Sequence, residues 1–260
     1  MVVREGIAMM AEFDDFCLWT YVVVDELYRA LPAAYKPGRG PTPGCSDSEL
    51  ITMALVGECR GWARETEMLH HWRARRHLFP VIPERSRFNR RRRDLGYAIN
   101  AIRQLVLAAL DVARDVQCAI DSLPVPVLQF HRVPAARSAD TWRAAGADFG
   151  KVPTKRQTIF GYKLHLLVTL GGVIRDFILA PANASDVLVG GKLLHEHAAL
   201  TVVGDKGYIS APLADELRAE RGVGLLTVPR RHRLAAAGYR ETSTARCATW
   251  RAVTGTPAMA

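Results

Sequence analysis

Two aspartates interrupt stretches of the chain that otherwise have the composition of buried strands. Asp121 lies inside the apolar run Cys118–Val127, and Asp205 directly follows the run Leu200–Gly204. Both runs are short, rich in Val and bounded by Gly or Pro, which predicts core strands with an acid at or near the end. An ionised carboxylate among buried residues is costly unless a cation or hydrogen-bond donors compensate it. Each aspartate is therefore a candidate site residue.

The two aspartates lie 84 positions apart (205 − 121), which leaves room between them for a hairpin, another strand and a helix. They could therefore meet on adjacent strands, at the end where open α/β sheets place functional groups. A partly solvated aspartate at a strand end would explain either residue alone. That explanation is weaker for the two together.

The second half of the chain has an α/β pattern. We expect a first strand, then a hairpin around Gly171-Gly172, then alternating helices and strands. The expected ranges are strand 116–123, strands 158–170 and 172–179, helix 186–200, strand 201–204, helix 211–220 and strand 224–228. Ser185 or Asp186 would cap the first of these helices. Periodicity alone indicates no more than an α/β fold.

The first half has helical periodicity from about Phe13 to Val112, broken by a Pro/Gly-rich linker over residues 36–44. Ser46 followed by Glu49 predicts a capping box at the start of a helix. A further helix is expected over 65–78, and one long helix from 86 to 110.

Basic residues cluster within this helical half. They are Arg73, Arg75, Arg76, His77, Arg85, Arg87 and Arg90 to Arg93. Four consecutive arginines spread around most of a helix, so they cannot all face one groove, and we expect some to pair with Glu84 and Asp94. A solvated basic helix is the alternative. A formal net charge of +9 over 260 residues favours a polyanionic partner.

Five short motifs, in order along the chain, resemble the DDE transposases of bacterial insertion sequences, and among these the branch numbered nine-eight-two. The motifs are Ser86-Arg87-Phe88-Asn89-Arg90-Arg91, Ile120-Asp121-Ser122-Leu123-Pro124-Val125, Phe160-Gly161-Tyr162-Lys163-Leu164-His165, Ala184-Ser185-Asp186 and Gly204-Asp205-Lys206-Gly207-Tyr208. Any one of them is weak, but the set is specific.

The resemblance implies a ribonuclease-H-like catalytic domain preceded by an all-helical DNA-binding region. We expect the helical, basic DNA-binding region at residues 1–112 and the catalytic domain at 113–231. Two ions, Mg²⁺ or Mn²⁺, are implied as cofactors, with Asp121 bridging both and Asp205 binding one. His165 is expected to be a packed or hydrogen-bonded strand residue, and Asp186 a helix cap rather than a catalytic group.

Double-stranded DNA, as terminal inverted repeats and as target, is the partner that the resemblance implies, with a homodimer assembled on it. The candidate DNA-binding residues are Arg87, Asn89, Arg90, Arg91, Arg92, Arg93, Lys163 and Lys206. For each lysine a solvated surface amine is an equally good explanation. We expect a cytoplasmic protein, nucleoid-associated when bound to DNA and outside the membrane, because no run of about 18 apolar residues occurs.

The third acid of the family has no clear counterpart. The family carries a glutamate in a basic and apolar stretch, roughly Arg-Arg-x-Ile-Glu, whereas this chain offers Glu241, 36 residues past Asp205 (241 − 205). Residues 232–260 contain no Ile, Phe or Asp and follow neither the helix nor the strand period. We expect this tail to be irregular, and a frameshift near residues 231–234 would explain its composition.

Three functions therefore stay open. The first is a transposase that cuts and joins DNA at the ends of its insertion sequence by two-metal phosphoryl transfer, with Glu241 as a displaced third ligand. The second is an inactive, truncated transposase that only binds DNA ends. The third is a metal-dependent nuclease of the same fold without strand transfer.

Overall fold

The computed structural model describes residues 2–36, 43–136, 138–152 and 157–227, with side chains from residue 12 onward except at 135. The chain divides into two compact units, Met1–Leu110 and Asp111–Ala260. In the first unit the described residues form five helices: α1 Val2–Ala30, α2 Asp47–Cys59, α3 Glu65–Arg73, α4 Arg85–Asp94 and α5 Gly96–Ala109.

Local sequence signals explain the boundaries of several of these helices. The capping box predicted at the start of α2 is present, since Ser46 Oγ accepts from the Glu49 amide and the Glu49 carboxylate accepts from the Ser46 amide. The helix expected over 65–78 ends at Arg73. The single long helix expected over 86–110 is wrong, because the chain turns at Leu95 before Gly96, a poor helix former, and α4 and α5 are separate.

The helical unit has its own core. Trp72, Phe88 and Leu95 are fully buried in it, together with apolar side chains of α1 and α2. The Trp72 indole Nε1 donates a hydrogen bond to the Met53 carbonyl at 3.2 Å, which satisfies the one polar atom of that side chain. The core therefore fixes the inner faces of the helices that carry the arginine cluster.

The second unit is built on one mixed sheet. Its elements are β1 Gln117–Leu128, α6 Ser138–Ala144, β2 Asp148–Val152, β3 Gln157–Thr169, β4 Ile174–Pro181, α7 Asp186–His195, β5 Thr201–Gly204, α8 Ala211–Arg221 and β6 Gly224–Thr227. The strand order is β2-β3-β1-β5-β6, and β4 pairs with the same edge of β3 as β2. The β1/β3 and β3/β4 pairs are antiparallel, whereas β1/β5 and β5/β6 are parallel.

This sheet agrees with most of the expected elements and corrects some of them. The hairpin and the strand Thr201–Gly204 are present as predicted. The first strand extends to Leu128, past the expected end at 123, and α7 ends at His195 rather than 200. Neither α6 nor β2 was predicted, and Val228, the expected end of the last strand, lies outside the described residues. A mixed sheet with these helices is consistent with a ribonuclease-H-like domain.

Helices α7 and α8 bury one face of the sheet. Their side chains Leu193, Leu194 and Leu217 form a core with Ile120 of β1 and Val202 of β5. Near the C-terminal end of β1, the backbones of β1 and β3 approach each other closely. This approach requires a glycine at position 161 of β3, because a Cβ there would lie 2.2 Å from the Val125 carbonyl oxygen. The buried face holds β1 and β5 in register, and that register positions the two aspartates.

Candidate active site

Asp121 and Asp205 follow paired residues on two adjacent parallel strands. Ile120 of β1 pairs with Gly204 of β5, so each aspartate is the next residue along its strand. Neighbouring strands lie about 4.8 Å apart, which brings the two backbones together at the end of β5. Asp121 is half-buried in β1, whereas Asp205 is exposed at the start of a 3₁₀ turn, Lys206–Tyr208.

The electrostatics of Asp121 is that of an acid without a countercharge. Burial raises its pKa above the ordinary carboxyl value, and the negative charges of Asp205 and Asp186 raise it further. One interaction opposes them, because the Ser122 amide donates a hydrogen bond to Asp121 Oδ1 at 2.7 Å. Within the described parts of the chain, no Lys, Arg or His forms a salt bridge with Asp121 or Asp205.

Asp186 lies in the same neighbourhood but is compensated. It is the first residue of α7, and its Oδ1 accepts a hydrogen bond from Lys163 Nζ at 2.6 Å. Lys163 Nζ also donates to the Ala184 carbonyl at 2.5 Å. Of the two residues expected to cap α7, Ser185 occupies the N-cap position, without a side-chain capping bond, whereas the expectation for Asp186 is wrong because it is the first residue of the helix. The Lys163 ammonium is therefore held within the domain.

A buried hydrogen bond lies beneath the turn that carries Asp205. His165 is fully buried, as expected of a packed strand residue, and its Nδ1 lies 2.9 Å from the hydroxyl oxygen of buried Tyr208. The other ring nitrogen, Nε2, has no hydrogen-bond partner and lies 3.9 Å from Asp186 Oδ1. Burial lowers the pKa of His165 and raises that of Tyr208. Tyr208 thus anchors the turn to β3.

Tyr208 closes one of the five motifs, but no role was predicted for it from the sequence. The structure explains both its position and two neighbouring glycines. A Cβ at Gly190 of α7 would lie 2.6 Å from the Tyr208 ring, and one at Gly207 would lie 2.8 Å from Asp186 Oδ2. An aromatic residue three positions after an acid that follows a strand, with a histidine on another strand of the same half of the chain, is the signal that could have identified this pair.

The residues predicted to contact DNA fall into two groups. Asn89, Arg91 and Arg92 make polar contacts within the helical unit, and Lys163 pairs with Asp186. The exposed residues of the set are Arg87, Arg90, Arg93 and Lys206. The expected partners Glu84 and Asp94 form no salt bridge with any described residue; the acids that pair with the arginines of α4 lie on α2 and α3 instead.

One group of three metal-capable side chains occurs in the described residues, and it lies away from the aspartates. His195 Nε2 lies 3.1 Å from Glu216 Oε1, and His195 Nδ1 lies 4.0 Å from Glu220 Oε2. Opposite ring nitrogens face the two carboxylates, which is the arrangement of two surface ion pairs. Glu241, the predicted third acid, lies outside the described residues.

Comparison with known proteins gives one match. The family described as "Transposase DDE domain" matches residues 114–255, more than half of the chain. No curated protein and no solved structure matches. Within the described residues no helix is both long and apolar enough to cross a membrane. The match covers both aspartates and the whole described sheet, and the chain belongs to the DDE-domain transposase family.

Proposed function

We propose that the chain is a DNA transposase that cuts and joins DNA at the ends of its own insertion sequence by two-metal phosphoryl transfer. One observation supports this most directly. Asp121, inside β1, and Asp205, directly after β5, each follow one member of the residue pair Ile120/Gly204 on adjacent parallel strands, and neither forms a salt bridge with a described cationic side chain. A half-buried acid beside a second acid is unfavourable unless a cation binds there.

The donor set fits a hard divalent cation. Mg²⁺ and Mn²⁺ take oxygen ligands, and one or two protein carboxylates suffice because water and phosphate oxygens complete the coordination. In this proposal Asp121 is a ligand to two ions and Asp205 to one. When ions are bound, the chemistry they supply is activation of an attacking water or 3′-hydroxyl and stabilisation of the leaving oxygen.

The residues around the two acids hold them in place. Tyr208 and His165 anchor the turn after β5, and the Ser122 amide orients Asp121 through its hydrogen bond. Lys206 follows Asp205 directly and is exposed, so it is the lysine that we place near the phosphate. Lys163 stays a predicted DNA contact, although in the free protein its ammonium is bound to Asp186.

The five motifs support a place in the nine-eight-two branch, and the third ligand decides between two candidate functions. The family match extends to residue 255 and so includes Glu241, which favours an active enzyme. The composition of residues 232–260, without Ile, Phe or Asp, favours the second candidate, an inactive transposase that binds DNA ends. Loss of one ligand would cost several kcal/mol of transition-state stabilisation, or roughly a thousandfold or more in rate.

Nicking of a labelled duplex that carries the ends of the element tests the proposal. The wild type, Asp121→Ala and the control Asp215→Ala, an exposed acid of α8, are compared with Mg²⁺ or Mn²⁺. We expect metal-dependent nicking by the wild type and the control and none by Asp121→Ala. Binding without nicking would point to the inactive transposase, and nicking that persists in Asp121→Ala would refute the assigned site. Nicking without joining of the ends would indicate the nuclease.

A further inference from the structure

Helix α4 presents its arginines on two different faces. Phe88 and Leu95 are fully buried and define the inner face. Because residues of an α-helix advance by about 100° each, Arg91 and Arg92 lie beside that inner face. Arg90 and Arg93 point away from it. The four consecutive arginines, residues 90–93, are therefore divided between the inner and the outer side of the helix.

The inner arginines are part of the folded helical unit. Arg91 donates to the Cys45 carbonyl at 2.8 Å and forms a salt bridge with Asp47 of α2, and its side chain is only 20% exposed. Arg92 lies 3.6 Å from Glu58 and 3.5 Å from Glu65, measured from guanidinium nitrogen to carboxylate oxygen. These contacts join α4 to α2 and α3, so the two guanidinium groups are already engaged.

Asn89 belongs to the same inner group. Its Nδ2 donates to Glu65 Oε1 at 2.5 Å, so the acid that faces Arg92 also fixes the amide. This hydrogen bond orients the amide toward Glu65 of α3, so the side chain has a structural partner inside the unit. The interior contacts therefore account for half of the six residues predicted to bind DNA on this helix.

The outer arginines form no such contacts. Arg87, Arg90 and Arg93 are exposed, and none of them has an ion pair, a hydrogen bond or a ring contact with a described side chain. They recur at intervals of three residues, which places Arg90 and Arg93 on the outer face and Arg87 at its edge. We name these three residues the outer arginine stripe.

We propose that the outer arginine stripe binds the phosphate backbone of duplex DNA, and that Asn89, Arg91 and Arg92 hold the helix in place without touching the nucleic acid. The stripe spans about 9 Å along the helix axis from Arg87 to Arg93. Over that length one DNA strand presents two to three phosphates, so the spacing suits a backbone contact. Free guanidinium groups donate bidentate hydrogen bonds to phosphate.

This inference rests on the proposed function only in taking DNA as the polyanionic partner. The salt dependence of binding reports contacts to the phosphate backbone. Each phosphate that the protein neutralises steepens the slope of log K against log salt concentration by about 0.9. A fluorescent duplex of random sequence is the probe, with anisotropy measured over a series of salt concentrations. The random sequence removes any dependence on the unknown terminal repeat.

Three double variants of the full chain are compared with the wild type. Arg90→Ala/Arg93→Ala removes two charges from the stripe, and Arg218→Ala/Arg221→Ala removes two exposed charges from α8. Arg91→Lys/Arg92→Lys keeps both positive charges on the inner side of α4. It replaces each planar guanidinium, whose donors have a fixed geometry, with the compact ammonium of lysine. Thermal unfolding of each variant checks that the helical unit still folds.

For Arg90→Ala/Arg93→Ala we expect the slope of log K against log salt to become shallower by about two. The α8 variant should keep the wild-type slope. The inner variant should also keep that slope but unfold at a lower temperature. Equal losses for the stripe and α8 variants would overturn the inference, because total charge would then explain binding. An unchanged slope in the stripe variant would overturn it as well. If the wild type binds DNA through the stripe but does not nick it, the inference stands and only the proposed activity fails.

Discussion

The arginines on the inner side of α4 and the two aspartates of the sheet unit differ in how their charges are compensated. In the helical unit Arg91 pairs with Asp47, and Arg92 lies between Glu58 and Glu65. In the sheet unit Asp121 and Asp205 stand side by side, and the described residues place no cation against either. The first arrangement stabilises the fold as it stands, whereas the second leaves negative charge that, in the proposed function, a cation from outside compensates.

The difference is informative because both arrangements look alike in the sequence. Each is a set of charged residues next to apolar ones, and each includes at least one residue of the five motifs. Compensated charges most often serve structure, whereas charges that the protein leaves unpaired, with a raised carboxyl pKa, are typical of functional sites. The contrast supports the proposals that the outer arginines and the two acids bind ligands and that the inner arginines stabilise the fold.

The largest expected effect concerns Asp121 and Asp205, the two acids that form no salt bridge with a described residue. Asp205→Asn keeps the shape of the side chain and removes the charge, so metal-dependent nicking is expected to fall by roughly a thousandfold or more. The measurement is single-turnover nicking with Mn²⁺, alongside DNA binding, which we expect to change little. A variant that nicks within about tenfold of the wild type would show that Asp205 is not a ligand.

A second prediction concerns the compensated pair. Arg91→Met leaves Asp47 without its cation and the Cys45 carbonyl without its donor, so unfolding is expected to become easier by about 2 kcal/mol, less than for a fully buried pair. Urea unfolding measures the change. The matched control is Arg90→Met, one residue earlier and exposed, for which we expect a change within about 0.5 kcal/mol. Equal losses of stability in Arg91→Met and Arg90→Met would contradict the assignment of these two arginines to different faces of α4.

The buried bond beneath the site comes next in size. Tyr208→Phe removes the hydroxyl that bonds to His165 Nδ1 and leaves a buried nitrogen unpaired, at an expected cost of about 1 kcal/mol. We also expect weaker Mn²⁺ binding by calorimetry, because the turn that carries Asp205 loses its anchor. The control is Tyr97→Phe, whose ring is 82% exposed. Unchanged Mn²⁺ affinity in Tyr208→Phe would show that the tyrosine serves stability alone.

Sequence patterns predicted the elements whose signals are local. The capping box at Ser46 and the hairpin around Gly171-Gly172 needed only a few neighbouring residues, and both are present. The break at Leu95 was missed because apolar periodicity continues across it. Strand β2 was missed because it has only five residues, two of them charged and one a glycine, and its place is set by pairing with β3.

The site was predictable as a pair of acids but not as a network. Asp121 and Asp205 each stand out against an apolar strand, so pattern alone identifies them. The partners of Lys163 and Asp186 depend on how β3 and α7 pack, which no local pattern encodes. The same holds for the arginines, since consecutive residues of one type differ only in the helix face that the fold assigns to them.

The smallest expected effect is a pH dependence of stability that arises from Asp121. Its pKa is raised above 3.8 in the folded chain, so its ionised form disfavours folding. The cost is absent below the ordinary carboxyl pKa, grows as the pH rises through the window up to the raised value, and is complete above it. Asp121→Asn should therefore gain stability over the wild type as pH rises through that window. Urea unfolding at acidic and at neutral pH measures this difference. Saturating Mn²⁺ should cancel it by stabilising only the wild type at neutral pH. A difference that is constant with pH would mean that Asp121 has the same pKa in the folded and unfolded chain, and the contrast between the two units would then lose its electrostatic basis.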